Sequence, residues 1–297
     1  MIEFCDVSYV YGKHTPFERA AVNNISFKID DGLITGIIGH TGSGKSTVAQ
    51  MMNALLQPSS GKILLDGEDI NSSKEKMLKT RFDVGMVFQY PEYQLFEETV
   101  EKDIAYGPTN MGLSAQEISE RVKMAAEFVG LDESILSASP FELSGGQKRR
   151  VAIAGVVAMQ PKVLVLDEPA AGLDPRGRRE ILSRLAQYRK QGDGKRSLVI
   201  ISHSMEDVAE FSDRIIALNE GKILCNGTPH EVFVDFEKIS MSGLSLPQIT
   251  VVVERIKEKL KKEGLEALIP DTAALTVSEA YDMLLPLISK GKGEPRC

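Results

Sequence analysis

This 297-residue chain predicts an α/β fold: a mixed sheet preceded by an antiparallel part and interrupted by an inserted helical segment. Three observations carry the prediction. Short apolar runs at 33–38, 84–88, 163–166, 197–201 and 214–218 have the length and β-branched content of buried strands. A glycine-rich loop, Gly39-His40-Thr41-Gly42-Ser43-Gly44-Lys45-Ser46-Thr47, separates the first run from a helical pattern. Residues from about 95 to 160 then replace the strand rhythm with helical spacing.

The loop fits the phosphate-loop pattern G-x-x-x-x-G-K-[ST] in its strand–loop–helix setting. Its glycines let backbone N–H groups converge on phosphate oxygens, and the following helix adds its positive end. Lys45 is placed to reach the β- and γ-phosphates of a nucleoside triphosphate, and the Ser46 hydroxyl to hold Mg²⁺. The helical pattern after the loop, Val48, Ala49, Met52 and Leu55, is expected to end near Pro58.

Before the loop, Ile2, Phe4 and Val7, then Ile25, Phe27 and Ile29, alternate with polar residues as half-buried antiparallel strands do. Tyr11 lies between them, where an exposed ring can stack on a purine base. Lys62-Ile63-Leu64-Leu65 followed by Asp66-Gly67 is a hairpin signal. Tyr90-Pro91-Glu92-Tyr93-Gln94-Leu95-Phe96 is apolar but broken by proline. We read Tyr93, Leu95 and Phe96 as a contact surface.

In the inserted part, Ser114 with Glu117 forms a capping box for a helix that Gly130 stops. Leu143-Ser144-Gly145-Gly146-Gln147 opens a helix expected over 148–159, and its two glycines make a second anion-binding nest. One nucleotide does not need two cradles, so the pair implies a dimer in which each chain's nest closes on the other's ATP. Three strand ends complete the constellation. Asp167 and Glu168 follow an apolar run, as a Mg²⁺ ligand beside Ser46 and a residue that polarises water would. His203 follows 197–201, and Gln89 follows 84–88, where a neutral amide can orient water and ligate Mg²⁺. In open α/β sheets such strand ends are where ligands sit.

From about Gly227 the pattern becomes helix and linker. Thr228-Pro229-His230-Glu231 reads as a capped helix start. Ser245 with Gln248 is expected to cap a helix with a Val252, Ile256, Leu260 stripe beside exposed lysines and a glutamate at 257–262. Thr276 with Glu279 caps a last helix carrying Ala280, Tyr281, Leu284 and Ile288, which Pro286 should kink or shorten.

Composition excludes several classes. The net charge of -7 argues against a protein that lives on nucleic acid. The longest strongly apolar uncharged stretch, 151–161, is about half a membrane span, and the polar N-terminus carries no secretory pattern. Cys5, Cys225 and Cys297 are odd in number, with no metal-like spacing, and read as thiols of a reducing compartment.

Taken in order, these motifs resemble the nucleotide-binding subunit of ATP-binding cassette (ABC) transporters over roughly residues 1–230. The resemblance implies a Walker A loop (Gly39 to Thr47), a Q-loop glutamine (Gln89), a signature sequence contacting the partner's ATP (Ser144, Gly145, Gly146, Gln147) and a Walker B pair (Asp167, Glu168). It also implies a D-loop ending at Asp174, a switch histidine (His203) and an adenine-stacking Tyr11, hence an active ATPase using ATP and Mg²⁺. The run from Phe88 to Val100, with Asp103-Ile104-Ala105-Tyr106-Gly107-Pro108 after it, is similar to the ATPase subunits of energy-coupling factor (ECF) transporters, especially the second type of their heterodimeric pair.

That resemblance implies an ABC-type cassette (1–230, helical subdomain about 95–160) with a C-terminal helical extension (231–297) for packing or dimerisation. It implies a peripheral protein on the cytoplasmic face of the membrane. Its partners would be a second ATP-binding subunit, different or identical, a transmembrane scaffold meeting Tyr93, Leu95 and Phe96, and a substrate-binding membrane subunit, energising uptake of vitamins or transition-metal ions. The alternatives are a conventional ABC transporter subunit, an exporter included, and a soluble cassette acting on nucleic acid or ribosomes.

Overall fold

The computed structural model describes residues 1–190, 196–234, 239, 243–262 and 272–290, with side chains through 286. Its strands are β1 (Ile2–Tyr11), β2 (Arg19–Ile29), β3 (Ile34–Ile38), β4 (Ser60–Leu65), β5 (Glu68–Asp69), β6 (Val84–Val87), β7 (Val163–Asp167), β8 (Ser197–Ile201), β9 (Arg214–Asn219) and β10 (Lys222–Gly227). Its helices are α1 (Lys45–Met52), α2 (Lys74–Asp83), α3 (Val100–Asn110), α4 (Ala115–Val129), α5 (Gly145–Val157), α6 (Pro175–Tyr188), α7 (Met205–Phe211), α8 (Pro229–Val234), α9 (Gln248–Lys262) and α10 (Val277–Lys290).

The predicted α/β architecture is present as two sheets. An antiparallel sheet runs β2-β1-β4-β5, with Ile2 opposite Ile29 and Phe4 opposite Phe27, so the alternating apolar residues share one face. The Asp66-Gly67 turn joins β4 to β5 with both residues in the left-handed region. A mixed sheet runs β10-β9-β3-β8-β7-β6, parallel from β9 to β6 with β10 antiparallel at its edge.

One core lies between the antiparallel sheet, α1 and one side of the mixed sheet. A second lies between the other side and the helices α3 to α6. β3, β7 and β8 are buried along their whole length, which explains why they read as apolar runs without alternation. A third cluster gathers Met205, Val208, Ile215, Ala217 and Phe233 with Leu244, Ala273 and Leu275 of the C-terminal part.

Several local expectations are corrected. α1 stops at Met52 rather than near Pro58, because Asn53 leaves the helix and donates its amide to the Val84 carbonyl; Leu55 lies outside, exposed. α5 starts at Gly145, three residues before the expected Lys148, because Ser144 caps it. In α9 the buried face carries Thr250 and Val253, while Val252 is exposed. Ser245 does not cap that helix: the Gln248 N–H donates to Glu206 Oε1 of α7 (3.1 Å). Lys257 is half-buried, its Nζ donating to the Thr272 carbonyl (2.8 Å). Thr276 does cap α10 through the Glu279 N–H (3.2 Å), yet Tyr281 points outward, and Pro286 lies within the helix, which runs on to Lys290. The Ile288 side chain and Cys297 lie outside the described residues; among the described residues Cys5 and Cys225 form no disulfide.

Candidate nucleotide site

Strand order assembles the site. β3, β8, β7 and β6 are consecutive neighbours, and at their carboxyl ends stand the glycine-rich loop, His203, Asp167 with Glu168, and Gln89. Register keeps the ends level: Ile37 of β3 faces Ile201 of β8, and Ile201 faces Asp167 of β7. Gln89, Asp167, Glu168 and His203, with Tyr11, Thr41, Gly42, Gly44, Lys45, Ser46 and Thr47, line one cavity of ≈ 330 Å³.

The loop is shaped for an anion. Gly44 caps α1 at φ 104° and has no side chain to bond the first turn, so the N–H groups of Lys45, Ser46 and Thr47 lack intrahelical partners. A Cβ on Gly44 would meet the Ala21 carbonyl at 2.6 Å, so the cradle tolerates only glycine there. Lys45 Nζ donates to the carbonyls of Gly39 (2.7 Å) and His40 (3.0 Å), and burial pushes its pKa down against the pull of Glu168 and Asp167. Ser43 is buried behind the loop, and the His40 ring lies 2.9 Å from Asn219 Oδ1. The Tyr11 and Thr47 hydroxyls share a bond of 3.2 Å, and Tyr11 packs edge-on against Tyr9 with its ring still partly exposed.

Across the cavity, Ser46 Oγ donates to Asp167 Oδ2 (2.9 Å). Burial raises the Asp167 pKa, with the Ser46 bond opposing it. A hydroxyl, a carboxylate and the Gln89 amide are oxygen donors suited to a hard divalent cation, which would relieve the cost of that buried charge. Glu168 sits in the left-handed region (φ 54°), held by its N–H to the Ile201 carbonyl (3.0 Å). Its carboxyl is pushed up chiefly by burial, with the His203 backbone N–H pulling the other way, and Oε1 is buried without a hydrogen-bond partner. His203 Nε2 lies 3.6 Å from that oxygen; burial, and then Lys45, lower its pKa and keep the ring neutral. A raised carboxylate beside a neutral imidazole can accept a proton from water and donate one hydrogen bond nearby.

The second nest stands elsewhere, since no residue from 144 to 147 lines this cavity. Ser144 caps α5 in a full capping box: its Oγ accepts from the Gln147 N–H (3.3 Å), and Gln147 Oε1 accepts from the Ser144 N–H (3.0 Å). Gln147 is thus engaged within its own turn. A Cβ on Gly145 would meet nothing within 4 Å, and one on Gly146 only Leu173 at 4.0 Å. Neither left-handed backbone nor packing within the chain demands these glycines. Asp174 accepts from the N–H groups of Arg176 (3.0 Å) and Gly177 (3.1 Å), capping α6.

Arg19 was not read from the sequence. It lines the nucleotide cavity, with Nη2 at 3.3 Å from where a Gly42 Cβ would lie, and its guanidinium has no hydrogen bond or ion pair among the described residues. A lone arginine at the start of β2 carries no motif; only the pairing of Arg19 with Tyr11 across β1 and β2 brings it to the loop. Of the expected contact surface, Tyr93 is 84% exposed and Phe96 58%, whereas Leu95 is half-buried on the helical core.

Fold and site together define a nucleotide-binding cassette, and comparison agrees: residues 22–171 match the ABC transporter family model. The chain belongs to the ABC transporter family of ATP-binding subunits. It is 51% identical, over 94% of its length and 95% of the relative's, to the energy-coupling factor transporter ATP-binding protein EcfA2 of Caldanaerobacter subterraneus subsp. tengcongensis. It is 50% identical, over 97% and 98%, to the EcfA2 of Clostridium perfringens. Within the family it therefore belongs with the energy-coupling factor ATP-binding proteins.

Among solved structures it resembles cbiO1 of Clostridium perfringens, described as part of the ABC transporter complex cbiONQ (TM-score 0.72, 39% identity, 85% of this chain and 98% of that one). It also resembles the ATP-binding cassette MJ0796, described as dimeric and bound to ADP and Pi in a post-hydrolysis state (TM-score 0.69, 28% identity, 77% and 99%).

Proposed function

We propose that this chain hydrolyses ATP as one of a pair of cassettes and thereby energises import through a membrane scaffold, with vitamins or transition-metal ions as cargo. The observation that carries the reading is the division of the anion-binding parts: residues of the phosphate loop share one cavity with Asp167, Glu168, Gln89 and His203, while none of Ser144, Gly145 and Gly146 lines it, and Ser144 and Gly146 line a different cavity. A second cassette supplies the missing nest. The dimeric description of MJ0796 supports this, and the complex named for cbiO1 supports a membrane partner.

In this reading Lys45 and the first-turn N–H groups of α1 hold the phosphates, and Tyr11 stacks on the adenine. Ser46, Gln89 and Asp167 are the residues that would hold Mg²⁺, which when bound neutralises phosphate charge. Glu168 takes a proton from the attacking water, and His203 donates its N–H toward the γ-phosphate. The C-terminal extension, of which α9 and α10 are described, serves at the dimer or against a partner, and Tyr93 and Phe96 meet the scaffold on the cytoplasmic face of the membrane.

Purification of the tagged chain from its native membrane in detergent, with partners identified by mass spectrometry, tests the assembly. The expected result is a second, different ATP-binding subunit and a transmembrane scaffold. Recovery of ribosomes or DNA instead contradicts it.

A further inference from the structure

One guanidinium ties together three segments that serve different parts of the site. Arg149, 4% exposed on α5, donates from Nε to Glu92 Oε2 (3.1 Å), from Nη2 to Glu92 Oε1 (2.8 Å) and from Nη1 to the Ala171 carbonyl. Glu92 lies in a short 3-10 turn, Pro91–Gln94, between the exposed rings of Tyr90 and Tyr93 and just after Gln89. Ala171 lies between Glu168 and α6. Arg149 itself is five residues along the helix from Ser144, about 7.5 Å of rise.

A bidentate arginine–carboxylate pair fixes plane as well as distance, and burial removes the screening that weakens surface pairs. Lysine, a single point of charge, cannot make the same three-way fork. The N–H group that Ala171 carries is itself bonded to the Glu168 carbonyl (3.2 Å), so the fork reaches the backbone beside the candidate general base.

We infer that Arg149 is a positioning residue that locks the Tyr90 to Phe96 surface, the α5 nest and the 171–174 segment into one rigid body, so that a load on the surface resets the nest and the backbone beside Glu168. The inference rests on the reading of Tyr93 and Phe96 as the membrane-partner contact. A pair that merely braced the fold would lower thermal stability and leave the response to the partner intact.

The test is the ratio of kcat for MgATP between the complex purified from the native membrane and the same ATP-binding subunits released from the scaffold. It is measured for wild type, Glu92→Gln, Arg149→Gln and the double variant. Expected are a wild-type ratio at least several-fold away from one and a ratio within twofold of one in every variant. The KM for ATP stays within twofold of wild type, the scaffold is still recovered, and the double variant is no worse than either single.

If Glu92→Gln fails to accumulate because it strands the Arg149 charge, the double variant, with neither charge, decides. A wild-type ratio of one, a variant that keeps the wild-type ratio, or a double variant whose loss is the product of the singles overturns the inference. Tyr93→Asp separates the two readings. If it leaves the scaffold bound, the contact surface is misplaced; if it releases the scaffold while Glu92→Gln keeps the wild-type ratio, only the Arg149 linkage fails.

Discussion

Glu168→Gln lowers kcat for ATP by about 10²–10⁴ while ATP affinity stays within twofold. The carboxyl's Oε1 makes no hydrogen bond to the phosphate cradle, and His203 Nε2 lies 3.6 Å from it. Burial raises its pKa toward the working range of a general base, so the wild-type rate falls as pH drops through that raised value and the variant, already slow, loses this limb. The same substitution stabilises the protein. A carboxyl with a raised folded pKa stabilises the fold when protonated, below its unfolded value of about 4.3, and this contribution is lost as pH rises through the folded pKa. At neutral pH the ionised Glu168 is therefore a cost, its Oε1 buried and unbonded. The amide removes that cost, raising Tm at pH 7 by about 2–4 °C for each kcal/mol relieved, with no gain near pH 3. Thermal scans and ATPase assays across pH check both halves, and a variant with wild-type turnover removes Glu168 from the chemistry.

Gly145→Trp is expected to stop hydrolysis without disturbing the chain that carries it. A Cβ there meets no atom of another segment within 4 Å, so Tm should move by no more than an ordinary surface substitution, about ±0.5 kcal/mol in stability. ATP binding at the phosphate loop is also spared, since the nest does not line that cavity. What the indole blocks is the approach of the partner's phosphates to the Gly145 and Gly146 N–H groups, and removal of such donors costs on the order of 10²–10³ in kcat. Nucleotide titration, melting and steady-state kinetics on one preparation separate the effects. Full turnover would show that nothing closes on this helix end.

These results turn on residues whose places were legible because each closes a strand: Gln89, Asp167, Glu168 and His203 follow apolar runs, and sheet order only had to make those runs neighbours. The capping boxes at Ser114 and Ser144 were legible for the same local reason. Arg149 and Glu92 were not, because a buried ion pair between positions 57 apart leaves no period or motif in either segment. The face of α9 was misread by one position within Val251-Val252-Val253, where three adjacent valines give helical periodicity nothing to choose between. Tertiary contact chose Val253. The α9 start was misread because Glu206, from another helix, supplies the carboxylate that Ser245 was expected to replace with a hydroxyl.

Direction of transport tests the account's central claim most directly. The complex recovered through this chain is placed in liposomes, this subunit outward, and MgATP is added outside with radiolabelled vitamins and Ni²⁺ or Co²⁺ in turn. The account predicts ATP-dependent accumulation of at least one of these inside the vesicles, abolished by Glu168→Gln. ATP-dependent loss of preloaded compound, with no accumulation of any, would contradict it.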